Sequence, residues 1–186
     1  METLFRIDGQ ILLWIQENIR QDWMTPFWEF ITSLGDKGWF WIALSLCLII
    51  PKKTRNAGIA ALLSIAVGAL FTNAILKELI ARTRPYEVVE GLQALIPGPK
   101  DFSFPSGHTC ASFSAAFTYY RTLPRRYGCI LIVLAVLIAF SRLYVGVHYP
   151  TDILGGLLIG FAASKIVQAG QHLLEKGDQE KSRFSN

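Results

Sequence analysis

Residues 57–80 read AGIAALLSIAVGALFTNAILKELI, an apolar run whose only charges, Lys77 and Glu78, come at its end. At 1.5 Å per helical residue this stretch reaches about 36 Å, against a bilayer hydrocarbon core of about 30 Å. A chain that carries it is read as an integral membrane protein. Composition agrees: 52% of the 186 residues are hydrophobic and 17% are charged, too apolar for a soluble domain of this length. The net charge of +4 is modest and lies in short clusters, PKKTR at 51–55, RTLPRR at 121–126 and EKGDQEKSR at 175–183. That distribution fits the positive-inside rule for membrane loops and not a nucleic-acid-binding face.

The hydropathy pattern predicts an all-α, polytopic membrane helical bundle in one domain, residues 1–186. Five spans are expected: Gly38–Ile50, Ala57–Ile80, Thr109–Tyr120, Gly128–Ser141 and Ile153–Gln171. Thr109–Tyr120 is marginal by hydropathy, but its Ser112, Ser114 and Thr118 suit a helix that packs against others. Residues 1–22 place Leu4, Ile7, Ile11, Leu12 and Ile15 at helical spacing with charges between them. They predict an amphipathic helix in the membrane interface and are also the candidate sixth span. They do not have the pattern of a cleaved signal peptide. Trp14, Trp23, Trp28, Trp39 and Trp41 cluster early and predict an aromatic belt at one interface. Cys47, Cys110 and Cys129 form no CxxC pair and are read as small core residues.

The basic loops 51–56 and 121–127 and the tail 175–186 belong on the cytoplasmic side. The loop 81–108 and the turn 142–152 then share the opposite face, and both carry polar residues of a chemical kind. In KELIARTRP, Lys77 and Arg84 are seven residues apart, so they share a face if the helix continues to Arg84; Pro85 stops the run there. Snorkelling explains one cation, whereas a same-face pair repels unless an anion joins it. In PSGHT, Ser106 is a predicted N-cap and Gly107 lets the backbone approach a ligand. By itself such a start is an ordinary capped helix; His108 in its first turn, able to reach the same anion, favours an anion site. In SRLYVGVHYPTD, Arg142 closes one span, and His148 and Asp152 sit four residues apart, a carboxylate placed to orient an imidazole. Three cations, a helix N-terminus, two histidines and a carboxylate suit a tetrahedral, multiply charged oxyanion such as phosphate. His172, near the other end, falls outside this group.

These segments resemble, in order and spacing over residues 77–152, the K-x6-RP, PSGH and SR-x5-H-x3-D signature of the type 2 phosphatidate phosphatase family. Its superfamily also contains bacterial acid phosphatases and vanadium haloperoxidases. The resemblance implies that His148 attacks phosphorus to form a phosphohistidine and that Asp152 orients it. It implies that His108 protonates the leaving oxygen and then activates water, and that Lys77, Arg84, Ser106, Gly107 and Arg142 hold the phosphoryl oxygens. Neither metal nor other cofactor is implied, and Arg82 and Thr83 receive no role.

Three rivals remain open. A metal hydrolase would use His108, His148 and Asp152 as ligands, with three cations facing the metal. A serine hydrolase would use Ser106, His148 and Asp152, but the chain has no G-x-S-x-G elbow. A lipid-phosphate carrier or flippase would leave His148 and Asp152 idle. For the phosphatase, the expected partners are the bilayer and a lipid phosphate, with no nucleic acid and no obligatory protein partner. Polyprenyl (undecaprenyl) diphosphate ranks first, phosphatidylglycerophosphate or phosphatidate second, and phosphate transfer to another acceptor stays open. The loop 86–104 is apolar enough to flank a lipid tail.

Overall fold

Residues 2–184 are described by the computed structural model, and among them the chain is helical with no strand. The helices are α1 (Glu2–Asn18), α2 (Thr25–Ser33), α3 (Trp39–Ile49), α4 (Arg55–Ala69), α5 (Lys77–Ile80), α6 (Pro85–Val88), α7 (Gly107–Thr122), α8 (Arg125–Tyr144) and α9 (Pro150–Phe184). A π-helical segment, Leu70–Leu76, joins α4 to α5, and a 3-10 turn, Asp36–Gly38, precedes α3.

Helix α7 is the central rod, and α4, α8 and α9 pack around it. Its low hydropathy has a physical reason. Thr118 shares a 2.9 Å hydrogen bond with Ser64 of α4, Tyr119 meets Ser45 of α3 at 2.6 Å, and Ser112 accepts from Trp41 Nε1 at 2.9 Å. Hydroxyls buried away from water need such partners. Helix α9 reaches α7 by giving up side chains. A Cβ on Gly156 would lie 2.6 Å from Ser106 O, and one on Gly160 would lie 2.8 Å from Cys110 O. The outer faces are apolar and exposed, as with Ile130, Val133 and Val136 on α8 and Leu154, Leu158 and Phe161 on α9.

Among the described residues, three segments are long and apolar enough to cross a membrane: Arg55–Val88, Arg125–Tyr144 and Pro150–Gly177. The other two expected spans are helices, but α3 has only 11 residues and α7 has 16, with hydroxyls where lipid-facing residues would raise the hydropathy. The candidate sixth span is α1, 17 residues long and docked by one face. There Asp8, Leu12 and Ile15 are buried, while Phe5, Ile7, Ile11 and Trp14 are exposed. The tryptophans divide as well. Trp14, Trp23 and Trp39 are exposed, but Trp28 and Trp41 are core residues, so the belt is narrower than expected. Of the cysteines, all unpaired, only Cys110 is buried. Helix α9 continues into the charged tail expected over 175–186, of which residues 185 and 186, like Met1, lie outside the described residues.

Substituting Gly160 by Leu forces a side chain onto α7 backbone, which has no rotamer with which to yield. Such overpacking costs about 1–3 kcal/mol or more and should lower the melting temperature in detergent by about 5 °C. Gly170→Ala, where a Cβ meets nothing within 4 Å, is the matched control and should melt at or above the parent temperature.

Candidate active site

The first cations arrive by a route different from the one the spacing suggested. Helix α5 stops at Ile80, and Ala81 takes a left-handed conformation with φ of 47°. Arg84 is extended ahead of Pro85, as a residue before proline tends to be. Lys77 and Arg84 therefore share no helix face. They converge nonetheless, because both reach the carboxylate of Asp101. Lys77 Nζ pairs with Asp101 Oδ2, and Arg84 donates from Nη2 to Oδ1 at 2.6 Å and from Nε to the Asp101 carbonyl at 2.8 Å. Both cations are buried, at 6% and 2% exposure, while the Asp101 side chain is half open to solvent. Burial works to raise the Asp101 pKa, but the hydrogen bond and charge of Lys77 and the charge of Arg84 outweigh it and bring it to about 2. Asp101 stays ionised wherever the protein would work, an oxyanion already seated between two cations.

His148 sits in the turn between α8 and α9, fully enclosed. Its Nε2 faces Arg84 Nη1 at 3.3 Å, and its Nδ1 faces Asp152 Oδ2 at 3.3 Å. A guanidinium only donates and a carboxylate only accepts, so Nδ1 carries the proton and Nε2 presents a lone pair. Burial lowers the imidazole pKa to about 3 against the opposing pull of the Asp152 hydrogen bond. The ring is thus neutral. Asp152 is wholly buried and held by Ser103 Oγ at 2.5 Å, by the Tyr149 N–H at 2.9 Å and by Arg82 Nη1 at 2.7 Å.

Ser106 caps α7 as its position predicted, accepting from Thr109 N at 3.4 Å and Thr109 Oγ1 at 3.0 Å. Its own hydroxyl hydrogen is left to donate. A Cβ on Gly107 would lie 3.8 Å from Lys77 Nζ, so the glycine leaves free the space beside the ammonium. His108 donates from Nε2 to Asp36 Oδ1 at 2.9 Å, and this hydrogen bond holds Asp36 below the usual carboxylate range. Gly35 makes room for that ring, since a Cβ there would lie 2.5 Å from His108 Cδ2. Arg142 is 1% exposed, donates from Nη1 to Thr32 at 2.6 Å, and its buried Nε has no partner among the described residues. Lys77, Gly107 and His108 line one cleft of about 450 Å³ together with Asp101 and with Thr72 and Asn73 of the π-helical segment. Among the described residues no three His, Cys, Asp or Glu side chains gather as metal ligands.

Four contributors escaped the sequence reading. Arg82, passed over between the motif positions, holds Asp152 and also pairs with Asp8 at 2.7 Å. Asp36 and Asp101 lie in loops whose spacing carries no period. Asp8 did leave a signal, because it precedes Leu12 and Ile15 by four and seven residues and so shares their buried stripe.

Residues 57–173 match the family described as the PAP2 superfamily. An undecaprenyl-diphosphatase of Sulfolobus acidocaldarius is 36% identical over 131 residues, which are 70% of this chain and 63% of that protein. Phosphatidylglycerophosphatase B of Bacillus subtilis is 32% identical over 87% of this chain and 82% of its own length. The crystal structure of a transmembrane PAP2-type phosphatidylglycerolphosphate phosphatase from Bacillus subtilis superposes with a TM-score of 0.75 at 29% identity, covering 92% of this chain and 88% of that one.

If Lys77 and Arg84 hold an oxyanion, Asp101 competes with it. Asp101→Asn removes that competing charge and should tighten inhibition by vanadate. For a pair half open to solvent the gain is about 1 kcal/mol, or roughly fivefold in inhibition constant. An unchanged or weaker constant would show that Asp101 lies outside the anion's position.

Proposed function

The chain belongs to the PAP2 superfamily, and from that membership together with the site geometry we propose that it is a metal-independent membrane phosphatase cleaving a lipid phosphate. The observation that carries this reading is the lone pair of His148 Nε2 beside Arg84, which with Lys77 already grips an oxyanion. Nε2 attacks phosphorus and the bond to the leaving oxygen breaks, its electron pair passing to that oxygen. His108 in its imidazolium form, its Nε2–H held by Asp36, supplies the proton from Nδ1. Asp152 stabilises the imidazolium of the phosphohistidine. His108 then takes a proton from water as its oxygen attacks phosphorus, the N–P bond breaks, and inorganic phosphate leaves. Lys77, Arg84, Arg142, Ser106 and the amide of Gly107 hold the phosphoryl oxygens throughout. A carrier or flippase would need no such nucleophile.

For substrate we favour an undecaprenyl-type diphosphate, the substrate named for the Sulfolobus relative. Phosphatidylglycerophosphate is the second reading, favoured by the longer match to the Bacillus enzyme. Phosphate transfer to another lipid uses the same groups. We take α3, the segment from α4 through α5, α7, α8 and α9 as five spans of one membrane-embedded domain, residues 1–186, with α1 along the interface. The loops 51–54 and 123–124 cap the helix ends opposite the site. Their basic flanks support a cytoplasmic position for that end and for the tail after 174, with the site facing outward.

The two histidines should fail differently. His148→Ala should abolish both turnover and phosphoenzyme. His108→Ala should lower turnover of a lipid monoester by about 10²–10⁴-fold while an activated ester still labels His148. A trapped phosphate on Ser106 or His108 would overturn the assignment. Chelators should leave activity unchanged, and loss restored by one divalent metal would favour a metal hydrolase.

Sidedness is tested separately. Single cysteines placed in 86–104 should label from outside intact cells and those in 121–127 only after permeabilisation. The reverse pattern would put the site in the cytoplasm.

A further inference from the structure

Arg82 and Asp8 contribute nothing to the lining of the cleft, yet both are built into the support of the nucleophile. The Arg82 guanidinium lies between two buried carboxylates, giving Nη1 to Asp152 Oδ1 and Nη2 to Asp8 Oδ2, each at 2.7 Å. Thr151 Oγ1 accepts from Arg82 Nη1 at 2.6 Å and itself donates to Asp8 Oδ2. The Thr151 N–H reaches Asp8 Oδ1 at 3.3 Å. The Tyr149 ring lies 3.7 Å and the Phe5 ring 4.6 Å from the guanidinium carbon. Three elements thus meet on one cation: α1, the turn after α5 and the start of α9.

Stability is a poor reason for such a cluster. Each buried ion loses its hydration, and well-packed apolar residues would hold these elements together as well or better. The arrangement makes sense as electrostatics directed at His148. When Nε2 bonds to phosphorus the imidazole becomes cationic, and Asp152 has to meet that charge. A guanidinium at 2.7 Å alone would draw much of the carboxylate's field to itself. Asp8, on the far side of the same guanidinium, counters it. Two carboxylates around one guanidinium leave one negative charge for the ring.

We propose that Asp8 and Arg82 are positioning residues of the His148–Asp152 pair: Arg82 fixes the Asp152 carboxylate where it receives the Nδ1 hydrogen, and Asp8 preserves the negative charge that the phosphorylated imidazole requires. The N-terminal helix is on this view part of the catalytic apparatus. The inference rests on the phosphohistidine reading above.

The test uses the full chain in detergent with phosphatidylglycerophosphate and undecaprenyl diphosphate, measuring phosphohistidine formation, kcat, KM and melting temperature. Asp8→Asn keeps the shape and removes the charge. It should lower kcat and the rate of phosphoenzyme formation by about tenfold or more, as loss of an outer partner of a functional histidine does. KM should stay within about twofold, since the phosphate-holding cations are untouched. Because Asp8 acts through Asp152, adding Asp8→Asn to Asp152→Asn should cost nothing further. Should Asp8→Asn fail to fold, Arg82→Lys carries the test. Its ammonium cannot span both carboxylates in the guanidinium's geometry, so kcat should fall with KM held. Full activity in both single variants, or losses that multiply in the double variant, would overturn the inference while leaving the phosphatase reading intact. Absence of any phosphohistidine in the wild type would overturn the reading, and the inference with it.

Discussion

Three cations held at one end of an apolar bundle repel one another, and the site end of this protein is organised by how that repulsion is met. Lys77, Arg84 and Arg142 are all nearly excluded from water. Asp101 answers the first two, while Arg142 has a threonine hydroxyl and forms no ion pair among the described residues. A buried cation without an anion is costly. The cluster therefore carries a standing demand for negative charge that a single carboxylate meets only in part. A phosphoryl group brings two charges and three equatorial oxygens, which suits both the number and the spread of the donors.

The helices around the site do what that demand requires. The π-helical segment Leu70–Leu76 widens the turn just before Lys77 and puts Thr72 and Asn73 on the cleft wall, a use of π geometry common at functional sites. The glycines at 156 and 160 let α9 lie against α7 backbone, which draws Asp152 close enough for its carbonyl to accept the Ser106 N–H at 3.1 Å. One backbone hydrogen bond thus ties the N-cap of the helix carrying His108 to the first turn of the helix carrying Asp152. The N-cap at Ser106 and the carboxylate beside His148 are set by the same helix contact.

Much of this was legible in the chain because the motif residues lie near span ends, where hydropathy marks the boundary and a charge is conspicuous. Lys77, Arg84, His108, Arg142, His148 and Asp152 could be singled out on that ground. The route by which Lys77 and Arg84 converge could not, since it depends on the left-handed Ala81 and on a loop carboxylate. The number of spans was blurred for a related reason. Helix α7 is 16 residues long and polar where it is buried, so neither its length nor its hydropathy marks it as a span. Asp8 is one of the charges lying between the apolar positions of α1, and its register with Leu12 and Ile15 puts it on the docked side. An acid on a buried stripe needs a cation, and Arg82 was the unassigned one.

Asp101 shows how two neighbouring buried cations can be held without a bound anion. Left unpaired, Lys77 and Arg84, both nearly excluded from water, would repel each other and push the loop and α5 apart. A carboxylate between them removes most of that cost. It comes from a loop, and its side chain is half open to water, so its grip is weakened by solvent in a way that a buried pair's is not. On the proposed reading an incoming phosphoryl group would exchange one anion for another, and its binding free energy would be the difference between the two. A fully buried acid at the same place would hold the cations more firmly and subtract more from substrate binding. Exposure of Asp101 is therefore the feature that lets one cluster of cations be stable when empty and still receptive.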